Sequence, residues 1–206
     1  MLSWAEEHQQ ASAAGGNFPS FCAFEDNSSL KSLFLKHGYQ RKESHTLHMR
    51  RDLKQPIPPG VLPGGWIVRH VAGEDEFEQR VALHREVWHP SRVTLEAYRR
   101  MRTMPGYSPE LDLVAVSADG ILASYCICWL DPMSKIGEFE PVGTRAAYRR
   151  KWLGKAVMLE GLRRLKATGM QTAIVYSVNS NEASMKLYES VGFKVYNRSY
   201  NYVKRV

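Results

Sequence analysis

The sequence predicts a mixed α/β domain preceded by a partial copy of the same kind of domain. Three observations predict this. Residues 136–144 alternate as a strand, loosen at Pro141 and Gly143, and lead through a basic turn into a strongly amphipathic helix. Residues 181–193 read as a helix started by Asn181 and stopped by Gly192, followed by an aromatic strand. Finally, a shift of 154 positions lays Asn27 on Asn181, Leu33 on Leu187, Phe34 on Tyr188, Gly38 on Gly192 and Tyr39 on Phe193.

Taken in order, residues 1–14 are helix-like and Gly15-Gly16-Asn17 breaks them. Residues 18–24 are apolar and read as a short strand. Asp26-Asn27-Ser28-Ser29 is a helix-start signal, residues 30–36 continue as helix, and Gly38 ends it. Residues 39–49 read as a hairpin. Residues 51–65 are rich in proline and glycine, which marks a linker. Residues 66–71 form the next expected strand. Residues 75–87 follow as a helix with Phe77, Val81, Leu83 and Val87 apolar, and 94–104 as another with Leu95 and Tyr98 turned inward. Strands at 111–117 and 121–130 flank the turn Ala118-Asp119-Gly120. The long helix covers 153–167, with Val157, Leu162 and Leu165 among its apolar positions, and Gly169 stops it. A buried strand at 171–178, a helix at 181–190 and one or two strands over 193–206 close the chain.

At 206 residues the chain suits one domain with a sizeable core, or one domain plus an appendage. Its net charge of +7 is moderate, and Arg145, Arg149, Arg150 and Lys151 cluster in the basic turn, so an anionic small molecule explains the charge. No basic run is interleaved with aromatics, so nucleic acid is not the expected partner. Cys22, Cys126 and Cys128 lie in apolar runs and are expected to be buried thiols of a cytoplasmic protein. Cys126 and Cys128 lack a matching His or Cys pair, so no metal site is expected. There is no signal peptide pattern and no apolar run of membrane-spanning length, so no membrane partner is expected.

A strand, a basic turn with a glycine and a helix make a phosphate site: open amides at the helix start point at the anion, the macrodipole favours negative charge, and glycine permits close approach. The same pattern also fits an ordinary strand-to-helix connection with a solvated turn. Here the residues carry a resemblance. Arg149-Arg150-Lys151-Trp152-Leu153-Gly154, with Ala156 following, resembles the Gln/Arg-x-x-Gly-x-Gly/Ala signature of the Gcn5-related N-acetyltransferase (GNAT) superfamily. Asn181-Glu-Ala-Ser-Met-Lys-Leu-Tyr188-Glu-Ser-Val-Gly192-Phe193 resembles its second signature, Asn-x-x-Ala-x-x-Leu-Tyr-x-x-x-Gly-Phe. Trp152 departs from the pattern, standing where the family has its first glycine. The tandem layout and the string Glu-Phe-Glu-Pro-Val-Gly-Thr are similar to mycothiol-synthase-like members, from which mycothiol chemistry does not follow.

The resemblance implies a mixed, mostly antiparallel sheet splayed between its fourth and fifth strands. It divides the chain into residues 1–53, the C-terminal half of a degenerate first domain; 54–65, a linker; and 66–206, the complete domain. A half-domain leaves a sheet edge to cover, so residues 1–53 are expected to dock on the complete domain or on another subunit, making a homodimer. The implied reaction is direct transfer of an acetyl group from acetyl-CoA, used as co-substrate without a metal, to a small-molecule or protein amine. By this resemblance Val142, Gly143 and Thr144 pair with the pantetheine arm. Arg149, Arg150, Lys151, Trp152, Leu153, Gly154, Lys155 and Ala156 hold the pyrophosphate, Asn181 touches the CoA arm, and Tyr188 protonates the thiolate. Glu138 and Glu140 share one strand face, and a carboxylate there can take the amine proton; Glu140 is the first choice. His84, His89, Trp88, Tyr98 and Tyr107 are candidates to line the acceptor side. The alternative reading is a catalytically silent acyl-CoA-binding or interaction module.

Overall fold

The computed structural model describes residues 4, 8 and 20–204. In chain order the elements are β1 (Phe21–Phe24), α1 (Ser28–Lys36), β2 (Gln40–Asp52), β3 (Trp66–His70), α2 (Glu74–Val87), α3 (Leu95–Met101), β4 (Asp112–Ser117), β5 (Leu122–Asp131), β6 (Ile136–Thr144), α4 (Leu153–Ala167), β7 (Thr172–Val178), α5 (Glu182–Ser190) and β8 (Lys194–Val203). Single turns of 3₁₀-helix cover Pro109–Leu111 and Ala146–Tyr148. The chain divides into two compact units. The smaller comprises residues up to Met49, Tyr176–Met185 and residues from Val195; the larger comprises Arg50–Val175 and Lys186–Lys194.

In the larger unit β3, β4, β5 and β6 are successive antiparallel neighbours, and β7 joins β6 in parallel. This is the mixed, mostly antiparallel α/β sheet that the sequence predicts. One face is covered by α2 and α3, where Phe77, Val81, Leu83 and Tyr98 pack with Val114, Val116, Leu122 and Tyr125. The other carries α4, whose Val157, Leu162 and Leu165 are fully buried. Burying each such side chain is worth about 1.5–3 kcal/mol. Close approach by α4 depends on Gly161: a Cβ there would meet the Phe139 ring at 2.6 Å.

The sheet face beneath α2 and α3 also holds a buried polar cluster. Arg80 Nε donates to Asp112 Oδ1 at 2.9 Å, and both side chains are sealed from solvent. The Tyr98 hydroxyl donates to Asp112 Oδ2 at 2.7 Å, and that of Tyr107 reaches the same oxygen at 3.3 Å. A buried ion pair repays its desolvation only when the remaining polar atoms are bonded as well, and these hydroxyls supply those bonds. Tyr98 and Tyr107, expected at the acceptor side, are thus bound into this cluster.

In the smaller unit β1 runs antiparallel to β8, with Phe21 opposite Tyr202 and Ala23 opposite Tyr200. Ala23, Phe34, Tyr39 and Tyr202 form its buried centre. Two expectations are corrected here. Residues 39–49 are no hairpin but part of one thirteen-residue strand, β2; the stretch His45-Thr-Leu-His-Met49 contains no glycine, proline or asparagine able to turn it. Cys22 is exposed rather than buried, because β1 alternates and turns Ala23 inward instead. The C-terminal stretch, expected as one or two strands, forms one. The expected helix over residues 1–14 and its break at 15–17 lie outside the described residues.

Candidate active site

Strand β6 pairs with β7 only from Ile136 opposite Thr172 to Glu138 opposite Ile174. Beyond that point β6 continues to Thr144 held by β5 alone, with Tyr125 opposite Gly143 and Ser124 opposite Thr144. This is the expected splay between the fourth and fifth strands of the domain. Pro141 has no N–H to give a ladder, and the register slips between Cys126 and Cys128, across from it. The Ser124 hydroxyl lies 2.9 Å from the Gly143 carbonyl and 2.8 Å from Thr144 Oγ1, which fixes the end of the open strand.

Helix α4 starts against that end. A Cβ on Gly154 would meet Thr144 Oγ1 at 3.1 Å and Leu187 Cδ2 at 3.5 Å, so glycine allows the approach. The Ala156 N–H, bonded to the Trp152 carbonyl at 2.9 Å, is the first helical donor of α4. The amides of Leu153, Gly154 and Lys155 remain at the helix mouth with no side-chain cap and no acidic residue in the first turn. Arg149, Arg150 and Lys151 are exposed beside it. The Lys155 ammonium lies 5.7 Å from the centre of the Trp152 ring. Donor amides, a helix dipole and surface cations match the chemistry of a pyrophosphate.

Trp152 occupies the left-handed region at φ 64°, and its ring is 64% exposed. The backbone at this position therefore has the conformation that glycine takes freely and a bulky side chain takes at a cost of about 1–3 kcal/mol. Arg145, expected among the loop cations, is engaged elsewhere. It pairs with Glu86 and donates from Nε to the Leu122 carbonyl at 2.8 Å.

Tyr188 is 7% exposed, and its ring packs 6.3 Å from that of Phe193. Burial, and then nearby Cys126, push its phenol up to about 12, so it is protonated at neutral pH. Beneath its turn, Arg51 donates to the Val191 carbonyl, and to the Pro56 carbonyl at 2.6 Å. Asn181 caps α5 in the smaller unit, accepting from the Ser184 N–H at 3.2 Å.

Glu138 stands directly opposite Trp129 across the β5–β6 ladder. It is half-buried, and Glu140 is exposed. Burial, then the hydrogen bond and charge of Glu140, raise the Glu138 carboxyl to about 7. The Trp129 indole donates to the Glu140 carbonyl at 2.6 Å. Trp129 carries no signal in the sequence, since only the strand register reveals what it faces. His84 and Trp88 stack near Tyr125, whereas His89 is exposed beyond the end of α2.

A profile of the acetyltransferase (GNAT) family matches residues 75–193. A mycothiol acetyltransferase of Thermobispora bispora is 33% identical over 154 residues, covering 70% of this chain and 52% of that protein. One from Segniliparus rotundus is 29% identical over 165 residues, covering 76% and 62%. The chain thus spans about half to three-fifths of the length of these curated relatives. A GCN5-related N-acetyltransferase structure from Sphaerobacter thermophilus superposes with a TM-score of 0.80 at 20% identity, over 98% of this chain and 64% of that one. A tandem GNAT protein from the clavulanic acid biosynthesis pathway gives 0.76 at 16% identity, over 98% and 68%. At such identities the structures speak to fold alone, and the profile speaks to kinship: over more than half its length, this chain belongs to the acetyltransferase (GNAT) family.

Proposed function

We propose that the protein is an N-acetyltransferase that moves an acetyl group from acetyl-CoA to a primary amine by direct attack. The observation that carries the reading is the splay of β6 past Glu138, with the open amides of α4 at its end and Tyr188 on the neighbouring helix. Val142, Gly143 and Thr144 offer backbone groups to the pantetheine arm, and Arg149 to Ala156 hold the pyrophosphate. The amine nitrogen forms its bond to the acetyl carbon, and the carbon–sulfur bond breaks. Glu138 takes the proton that the amine loses, with Glu140 sharing the charge, and Tyr188 gives its proton to the departing thiolate. Glu138 is the better base of the two on its environment, since a group titrating near the working pH matches the task. Relatives named mycothiol acetyltransferase favour a small-molecule acceptor over a protein amine.

A pH profile tests the base. The rate constant kcat/KM should rise as pH passes through about 7, where Glu138 becomes ionised, and hold until Tyr188 approaches its own ionisation near 12. Glu140→Gln removes the hydrogen bond and charge that raise Glu138, so the rising limb should move to lower pH. Glu138→Gln should cost about 10²-fold or more and abolish the limb. An unchanged limb in Glu138→Gln would sink the assignment.

A second reading is favoured by Trp152, a bulky residue in the left-handed region of the cofactor loop: a silent acyl-CoA-binding module. Calorimetry with acetyl-CoA separates the two. Binding by the unaltered chain supports the enzyme. Binding that appears only in Trp152→Gly supports the silent module.

We also infer a tandem ancestry: residues 1–53 as the C-terminal half of a degenerate GNAT domain, 54–65 as linker and 66–206 as the complete domain. The support is that α1 and α5, and the starts of β2 and β8, stand in the same register 154 positions apart.

A further inference from the structure

Helix α2 turns one side to the sheet. Phe77, Arg80, Val81 and His84 follow at helical spacing, and Val87 and Trp88 continue it. A Cβ on Gly143 would meet Val87 Cγ1 at 2.5 Å and Tyr125 Cε1 at 3.0 Å. The open part of β6 is therefore bordered at Gly143 by α2 and by the Tyr125 ring. His84 lies one helical turn before Val87 and Trp88. Its Nδ1 is 2.7 Å from the Tyr125 hydroxyl oxygen, and its ring stacks at 27° on that of Trp88.

The donors and acceptors around Tyr125 assign the histidine's tautomer. Burial raises the Tyr125 phenol, so it keeps its proton. The Arg80 guanidinium lies over the face of the Tyr125 ring, 3.7 Å from its centre, and the hydroxyl's hydrogen-bond partner is His84 Nδ1. A phenol is a stronger acid than the N–H of a neutral imidazole, so the hydroxyl donates to His84 Nδ1 and the neutral ring carries its own proton on Nε2. Burial, followed by the Arg80 charge, lowers the His84 pKa, so the ring is neutral at neutral pH. The titratable groups around it are Arg80 on its own helix and Tyr125 on β5. Nε2 has no hydrogen-bond partner among the described residues.

We propose that His84 Nε2–H binds an oxygen, hydroxyl or carbonyl, carried beside the amine that is acetylated, so that the acceptors are amines with a neighbouring oxygen rather than bare alkylamines. The proposal rests on the acetyltransferase reading above. A neutral N–H suits an uncharged oxygen and leaves the amine to Glu138 and Glu140. A half-buried donor also discriminates well, because an acceptor lacking the oxygen leaves it unpaired. His84 holds the acceptor and takes no proton during transfer.

Paired amines test this: glucosamine against cyclohexylamine, and alaninamide against isopropylamine. The unaltered chain should favour the oxygen-bearing member of each pair by about tenfold or more in kcat/KM. His84→Leu should bring the members to within about threefold of each other, chiefly through KM. His84→Gln keeps an N–H donor near the Nε2 position and cannot ionise, so it should retain most of the preference. Three outcomes overturn the proposal: no preference in the unaltered chain, a preference that survives His84→Leu, or His84→Gln falling as far as His84→Leu. Equal loss on both members of a pair also overturns it, assigning the donor to the thioester carbonyl. Imidazole ¹⁵N spectra at pH 7, assigned against His84→Gln, read the tautomer without any turnover. A neutral Nε2–H ring is expected, and an Nδ1–H ring or an imidazolium overturns the proposal. Absence of turnover with every amine would count against the acetyltransferase reading, leaving the spectra to judge His84.

Discussion

Helices α1 and α5 begin on the same hydrogen bond. Asn27 Oδ1 accepts from the Leu30 N–H at 3.0 Å, and Asn181 Oδ1 accepts from the Ser184 N–H at 3.2 Å. They also end alike. The Gly38 N–H donates to Leu35 and that of Gly192 to Glu189, at φ angles of 82° and 87°. Tyr39 then donates to the Phe34 carbonyl and Phe193 to the Tyr188 carbonyl, both at 3.0 Å. The differences are chemical. Phe34 stands where α5 has the Tyr188 hydroxyl. The Lys204 side chain lies near a Cβ built on Gly38, at 3.6 Å, whereas the Arg51 guanidinium would meet one on Gly192 at 2.6 Å. Cap, turn and aromatic packing suffice to fold a strand–helix–strand piece. A hydroxyl and a buried cationic brace are what distinguish the piece that carries Tyr188.

Exchanging the two aromatics tests that contrast most strongly. Tyr188→Phe should lower kcat by about 10²-fold or more with little loss of stability, as expected for a lost general acid. Phe34→Tyr should leave kcat alone but cost about 1–3 kcal/mol, because Phe34 is 4% exposed and its surroundings are aromatic rings. If Phe34→Tyr also changed kcat, the division between a structural and a chemical piece would fail. Next come the turns. Gly192→Ala should cost about 2–3 kcal/mol and Gly38→Ala about 1 kcal/mol, read as urea midpoints, since only the former must also displace Arg51. Equal losses would mean that Arg51 is no brace. The smallest effect belongs to the caps. Asn27→Ala and Asn181→Ala should each cost about 1 kcal/mol, read as urea midpoints, and a clear difference between them would mean that the two caps are not equivalent.

The parts legible in the sequence are those with local punctuation. Helix α4 and strand β6 have the bounds their patterns predict, because Gly169 stops the former and the basic turn ends the latter. The mismatch at β2 falls where such punctuation is lacking. What stays hidden depends on distant residues. Arg80 and Asp112 are 32 positions apart, His84 and Tyr125 are 41, and Arg145 and Glu86 are 59. A lone arginine in a helix gives no sign of burial, and a basic loop gives no sign of which cation is already paired. The rise in the Glu138 pKa follows from a half-buried position that alternation alone does not reveal.

The left-handed Trp152 has a genetic side as well. Tryptophan is written TGG, and GGG encodes glycine, so a single transversion relaxes the loop's bulkiest left-handed residue. Random mutagenesis reaches that change without passing through an intermediate residue. Because the strain is stored in a backbone angle, a selection for heat tolerance alone should enrich Trp152→Gly early. A screen for turnover run on the same library would show whether the indole does something for the reaction that outweighs its conformation.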